Sequence, residues 1–331
     1  MGMRTVLGAG ALMLALGFLP RIAVAAPDVV VTIKPVHSLV AQVMDGVGTP
    51  RLLLDASASP HAYALRPSEA RAVAGADLVV RVSADLETFL VDVLQDRPVL
   101  TFDTLPGVTL LKWDEGDAHG HGHGHDHAKA REDGHEHGGH GKHDHDEEEA
   151  GSHAAHHHAG DHDTHVWLDP VNAAVLVRAT AGTLSRLDPA NAPRYAANAE
   201  RAVGSLSALE AQVNARLAPV RGQPYVVFHD AYSYFENRFR LPAGEVLSLN
   251  PETAPGARHV ARIRAEIVAE DIRCVFAEPQ FRPALVETVI EGTPARAAVL
   301  DPLGAALPAG PAAYGTLILG LADSMAECLA R

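Results

Sequence analysis

Most of the histidines of this 331-residue chain lie in one short tract. The segment 114–163 holds 15 of the 20 histidines, beginning with a His-Gly alternation at 119–125. Neutral imidazoles on a flexible chain can surround a borderline metal such as Zn2+, although such a chain imposes no geometry and copper or nickel would compete for it. A histidine-rich spacer without a metal role is the alternative. The predicted tract ligands are His119, His121, His123, His125, His127, His135, His137, His140, His143, His145, His153, His156, His157, His158 and His162.

The same segment is also the acidic part of the chain. It contains 14 Asp or Glu against three Lys or Arg, so it accounts for most of the formal charge of −14. Its lack of apolar periodicity predicts disorder in the absence of metal. The rest of the chain shows no basic stripe and no nucleic-acid motif, which excludes a DNA- or RNA-binding class.

A second, sparser set of possible ligands consists of His61, His165, His229 and Asp301. All but His165 come just after the carboxyl end of a predicted strand, where open α/β sheets place ligands. Two lie in each half of the chain, so we expect them to meet in a cleft. Three imidazoles and one carboxylate would complete a four-coordinate zinc site with no open position, which suits holding an ion better than activating water. Each histidine taken alone is more often structural, and the nearby tract is what favours ligation.

The elements that must position these residues alternate in type. Short β-branched runs separated by helical stretches predict an α/β fold of two lobes, each with a four-stranded, mainly parallel sheet flanked by helices. The predicted strands are 29–33, 51–54, 78–82 and 99–102 in the first half, and 225–228, 245–247, 274–277 and 297–300 in the second.

One long helix is predicted to join the lobes over residues 188–219. Asp188-Pro189 is a helix-start signal, Pro219 and Gly222 are stop signals, and apolar residues recur between them at spacings of three and four. These residues are Tyr195, Ala199, Ala202, Leu206, Leu209, Val213 and Leu217. The predicted lobes are 27–187, which includes the tract, and 220–331. A single helical connector should resist wide hinge opening.

The first 26 residues resemble a signal peptide. Arg4 precedes an apolar run over 6–19, and Ala23-Val24-Ala25 forms a small-residue cleavage site. The run is shorter than the roughly 20 residues that span a bilayer, although a retained anchor is the alternative. No cysteine near the cleavage point offers a site for acylation. We therefore predict a protein free in the periplasm.

The chain has two cysteines, Cys274 and Cys328. In an oxidising compartment a single distant pair is most simply a disulfide, which would stabilise the fold by roughly 4 kcal/mol. Two free buried thiols are the alternative, and a cysteine metal site is disfavoured because its thiolates would have to stay reduced outside the cell.

Four motifs resemble the periplasmic zinc-binding component of high-affinity zinc ABC transporters: SPHAYALRPS at 59–68, HVWLDP at 165–170, FHDAY at 228–232 and DPLG at 301–304. The resemblance covers the mature chain, with its histidine-rich insertion, linking helix and two cysteines. It implies two α/β lobes bridged by a rigid helix and a metal held by His61, His165 and His229, with Asp301 matching a fourth ligand of some members. Several members have Glu where this chain has Pro60, which leaves Asp301 or a water for the fourth position.

The resemblance also implies a function and partners. We expect a monomeric carrier that captures Zn2+ and delivers it to a membrane permease, which in turn works with a cytoplasmic ATPase, while the tract gathers further zinc. Manganese-binding relatives typically have a glutamate at the position of His229, so imidazole there favours zinc. Two alternatives are a periplasmic zinc buffer without a transporter and a zinc hydrolase, the latter disfavoured because no His-Glu-x-x-His motif is present.

Overall fold

The computed structural model describes residues 25–54, 58–94, 97–113, 160–248, 252–281 and 284–330. The predicted leader, apart from its last two residues, and the tract histidines from His119 to His158 lie outside these ranges. Among the helices that the structure describes, none combines the length and apolar character needed to cross a bilayer.

The first lobe is built on a parallel sheet of four strands. The strands are β1 (Val29–Val31), β2 (Arg51–Leu52), β3 (Leu78–Arg81) and β4 (Val99–Thr101), in the order β2-β1-β3-β4. The valines of β1 and most of β3 are fully buried because helices cover both faces, as parallel sheets require. The helices of this lobe are α1 (Lys34–Val43), α2 (Pro67–Gly75), α3 (Val91–Leu94) and α4 (Pro170–Leu187).

The predicted connecting helix is present as α5 (Ala192–Leu217), which has 26 residues. Short 3-10 turns, Pro189–Asn191 and Ala218–Val220, extend it at both ends. All seven residues of the predicted apolar stripe are buried, and this face packs against α4 and α1 of the first lobe.

The second lobe repeats the topology of the first. Its strands are β5 (Val226–Val227), β6 (Glu245–Val246), β7 (Cys274–Ala277) and β8 (Arg296–Val299), all parallel in the order β6-β5-β7-β8. Its helices are α6 (Ser233–Phe239), α7 (Ala257–Ala269), α8 (Ala284–Ile290) and α9 (Ala313–Leu329). The predicted fold class, two four-stranded parallel lobes joined by a long helix, is therefore confirmed.

A shared core fixes the two lobes to each other. Helix α9 packs on both α5 and α1, and the largest cluster of buried apolar residues contains residues of both halves of the chain. Polar contacts add to this core: the indole Nε1 of Trp167 donates to the carbonyl of Pro302 at 2.9 Å, and Arg238 contacts both oxygens of Asp169 at 2.7 Å. The cleft between the lobes therefore has one wall from each lobe.

The predicted disulfide between Cys274 and Cys328 is confirmed. Their Cα atoms are 6.1 Å apart, and both residues are buried. The bridge ties β7, at the centre of the second sheet, to the last turn of α9.

The end of the histidine-rich segment differs from the sequence-based expectation. Residues 160–163, which we assigned to the disordered part, belong to the folded first lobe. His162 forms an antiparallel bridge with Lys112, and the amide of Asp163 donates to the carbonyl of Leu111 at 2.9 Å. Asp163 is buried because its carboxylate has a specific partner, described below.

Candidate metal centre

Three of the four residues expected in the cleft lie together there. His61, His165 and His229 each offer a ring nitrogen, and these three atoms lie within 4.8 Å of one another. Their ring centroids are 5.3 to 5.9 Å apart. In a zinc site with Zn–N bonds of about 2 Å, the ligand nitrogens lie closer together than 4.8 Å. Small side-chain movements would therefore be needed to close the three rings around an ion.

His61 lies on a short 3-10 turn, Pro60–Ala62, in the first lobe. Pro60 fits the first position of this turn, and the Ser59 hydroxyl accepts a hydrogen bond from the amide of His61 at 3.3 Å. His61 is exposed, whereas the other two histidines are buried. The imidazole on the solvent side of the cluster is therefore His61.

His165 is held by the carboxylate of Asp163. Oδ1 of Asp163 lies 2.7 Å from Nδ1 of His165 and also accepts the backbone amide of His165 at 2.9 Å. Because this carboxylate binds Nδ1, Nε2 of His165 is the ring nitrogen that could ligate a metal. Asp163 is not among the predicted site residues, because in the sequence it is one of the acidic residues of the tract.

His229 has an equivalent partner in Glu278, whose Oε1 lies 2.6 Å from Nδ1 of His229. The two residues follow β5 and β7, which are paired neighbours, so their side chains emerge at the same edge of the sheet. Burial lowers the pKa of His229, but the carboxylates around it, Glu278 first and then Asp230 and Asp163, together outweigh this, so the pKa lies above its ordinary value. Nε2 of His229 is buried and has no hydrogen-bond partner among the described residues, as expected of an atom that takes up a metal.

Asp301 is not part of this cluster. Its Oδ1 accepts the amides of Leu303 and Gly304, at 3.1 and 2.9 Å, and the Nε2 amide of Gln280 at 3.1 Å. Its Oδ2 accepts the amide of Ala305 at 2.5 Å. Both oxygens therefore stabilise the turn after β8, and Oδ1 accepts three of these four hydrogen bonds.

The walls of the cleft are mainly apolar. Trp167, Phe281, Pro302 and Leu303 line it around the histidines, and the ring of Trp167 lies 5.1 Å from that of His165. A low-dielectric surrounding strengthens the attraction between a cation and the buried carboxylates behind His165 and His229. Three imidazoles with one remaining position can hold a tetrahedral divalent ion.

Comparison with known proteins points to one family. The model of the family described as "Zinc-uptake complex component A periplasmic" matches residues 29–328. The high-affinity zinc uptake system protein ZnuA of Brucella suis biovar 1 is 44% identical over 315 residues, covering 92% of each chain. A crystal structure of ZnuA superposes with a TM-score of 0.71 at 19% identity, covering 92% of this chain and 99% of that one. A zinc-bound deletion mutant of ZnuA gives a TM-score of 0.70 at 19% identity, covering 92% and 98%.

Proposed function

This chain belongs to the family of periplasmic component A proteins of zinc-uptake complexes, and from that premise we propose that it captures Zn2+ in the cleft between its lobes and delivers it to a zinc importer. The proposed zinc ligands are Nε2 of His165, Nε2 of His229 and a ring nitrogen of His61. Its named relatives are uptake proteins and not enzymes, so the hydrolase alternative is not retained.

The observation that carries this proposal is the pairing of each buried histidine with a buried carboxylate. The side chains of Asp163 and Glu278 are each 1% exposed, and each binds Nδ1 of a histidine. Such pairs fix the ring orientation and raise the basicity of the metal-binding nitrogen. Two buried negative charges directly behind the ligands also match the charge of a divalent cation.

A water molecule is the fourth ligand that the site best accommodates. Pro60 replaces the glutamate that several members of the family carry, and the Asp301 oxygens are already bonded to three backbone amides and one side-chain amide. His61 is the exposed member of the cluster, so solvent can reach the site from its side.

Three imidazole ligands also support selectivity for zinc. Nitrogen donors suit zinc, whereas carboxylate and water oxygens suit manganese and magnesium. Among the described residues, the group of side chains that could hold a metal ion contains no carboxylate. Manganese should therefore bind the cleft weakly.

The histidine-rich tract is proposed to gather further zinc. Residues 114–159 connect Trp113 to residue 160, and the ring of Trp113 lies 6.5 Å from that of His165, so the described residue that precedes the tract lies beside the metal centre. Tethering raises the local concentration of loosely bound ions beside the tight site. A membrane permease is the partner that family membership implies, and the ATPase would act through it.

Growth in zinc-depleted medium tests the proposal. A deletion strain should grow poorly, and expression of the wild-type chain should restore growth while His229→Ala should not. Normal growth of the deletion strain would favour a periplasmic buffer without a transporter. Cross-linking the zinc-loaded chain to permease-containing membranes supplies the second discriminating measurement.

A further inference from the structure

The C-terminal wall of the metal cleft is formed by the turn that follows β8. Pro302 and Leu303 of this turn line the cleft beside the histidines. The turn passes through Gly304, whose φ of +68° is a left-handed conformation that favours glycine. The position of this wall therefore depends on how the turn at 301–307 is held.

The turn is held from two sides by opposite charges. From its own lobe, the Asp301 carboxylate accepts the amides of Leu303, Gly304 and Ala305. From the first lobe, Nζ of Lys34 donates to the carbonyl of Gly304 at 2.6 Å, of Ala305 at 3.1 Å and of Leu307 at 2.7 Å. The indole of Trp167, also from the first lobe, donates to the carbonyl of Pro302.

Lys34 is well matched to this contact. It begins α1, three residues after the last residue of β1, and it is only 6% exposed. An ammonium group has three donors, and the three carbonyls bond to all of them. A buried charge is costly unless its hydrogen bonds are made, so Lys34 strongly favours the arrangement in which the turn lies against the first lobe.

We propose that Lys34 is a positioning residue that fixes the 301–307 wall of the cleft against the first lobe and thereby slows the release of zinc. The inference rests on the proposed function. The three Nζ contacts of Lys34 are all to carbonyls of this turn. Lys34 acts through Pro302 and Leu303, which must move for the cleft between the lobes to open.

The test compares zinc release from the full chain, loaded with one equivalent of Zn2+, in the wild type and in Lys34→Met. Methionine keeps the apolar stem and removes all three donors. Release into excess chelator should become about tenfold faster, because contacts that hold a bound state closed act mainly on the off-rate. Gln42→Ala is the matched control: Gln42 lies on the same helix and donates to the carbonyl of Pro311, outside the wall, at 2.9 Å. Its release rate should stay within about twofold of the wild type.

Two further measurements separate positioning from general stability. Amide hydrogen exchange in metal-free Lys34→Met should accelerate at Leu303, Gly304 and Ala305. Lys34→Arg should also release zinc faster than the wild type, because the planar guanidinium group cannot match all three carbonyls. Unchanged release in both Lys34 variants, with zinc bound tightly by the wild type, would overturn this inference alone. If Lys34→Met does not fold, the Lys34→Arg release rate decides. A wild-type chain without tight zinc would overturn the proposed function and this inference with it.

Discussion

Oε1 of Glu278 lies 2.6 Å from Nδ1 of His229, and both side chains are buried. The two residues are 49 positions apart in the chain, but they follow neighbouring parallel strands. The carboxylate therefore fixes which ring nitrogen faces the cleft, and Nε2 is left with no hydrogen-bond partner among the described residues. This arrangement is the part of the molecule that most specifically indicates a metal.

Glu278→Gln should weaken zinc binding without abolishing it. The amide oxygen can still accept the Nδ1 proton, but the negative charge behind the ligand is lost, and outer-shell changes of this kind typically cost about 10- to 100-fold in affinity. Chelator competition measures the effect.

Glu236→Gln is the matched control for that experiment. Glu236 is a buried carboxylate of the same lobe that accepts the hydroxyl of Tyr225 at 2.8 Å and the amide of Gly244 at 3.1 Å. Burial raises the pKa of Glu236 to about 7, so this carboxyl is only partly ionised near neutral pH, and neither of these hydrogen bonds joins it to the histidine cluster. Zinc affinity should be unchanged in this variant, and equal losses in both would show that the role assigned to Glu278 is wrong.

Asp301→Asn should keep one tightly bound zinc while lowering stability. In the variant, the side-chain NH2 group would face backbone N–H groups that now donate hydrogen bonds to the carboxylate. The loss of these hydrogen bonds should lower the free energy of unfolding by about 1 to 3 kcal/mol. Urea unfolding of the metal-free protein and zinc competition measure the two effects separately. A loss of zinc as large as that in His229→Ala would instead make Asp301 the fourth ligand.

Zinc stabilisation should decrease as the pH falls. The pKa of His229 is raised in the metal-free protein, so the His229–Glu278 pair stabilises the protonated form, and this contribution is lost as the pH rises through that raised pKa. Zinc needs the neutral ring and competes with this proton. The increase in melting temperature on adding zinc should therefore be large near pH 8 and small near about pH 5. A zinc effect that stays constant across this range would contradict ligation by His229.

Removing the disulfide should destabilise the fold without changing zinc stoichiometry. Cys274 and Cys328 close a loop of 54 residues, for which the chain-entropy model gives about 4 kcal/mol. The double variant Cys274→Ala, Cys328→Ala should unfold at lower urea concentration and still bind one zinc in the cleft. Loss of tight zinc from folded double-variant protein would show that the bridge also positions Glu278, four residues after Cys274.

Much of the fold could be predicted because each strand is a short β-branched run and the long helix carries a regular apolar stripe. Tyr195 and Leu217, at opposite ends of that stripe, are both fully buried. These are local patterns that periodicity detects. The proximity of His61 and His229 could be expected because ligands gather at the carboxyl ends of parallel strands. His165 follows no predicted strand, and the resemblance of its motif to the family is what placed it with them.

The roles of two carboxylates could not be predicted in the same way. Asp163 lies among acidic residues of the tract, and nothing in its local sequence shows that it is buried against His165. Asp301 follows a strand, as a ligand would, but the direction of its oxygens depends on the turn at 303–305, which backbone amides determine. In both cases the hydrogen-bond partners of the carboxylate depend on the folded geometry, which residue type alone does not give.

The central claim is that one zinc is held in the cleft independently of the histidine tract. The most direct test is zinc stoichiometry and competition affinity on a chain that lacks residues 119–158 but keeps the Lys112–His162 bridge, with and without His229→Ala. We predict one tightly bound zinc, lost or greatly weakened by His229→Ala, together with poor retention of manganese. Absence of tight zinc in the tract-deleted, folded protein would contradict the account and place zinc binding in the tract.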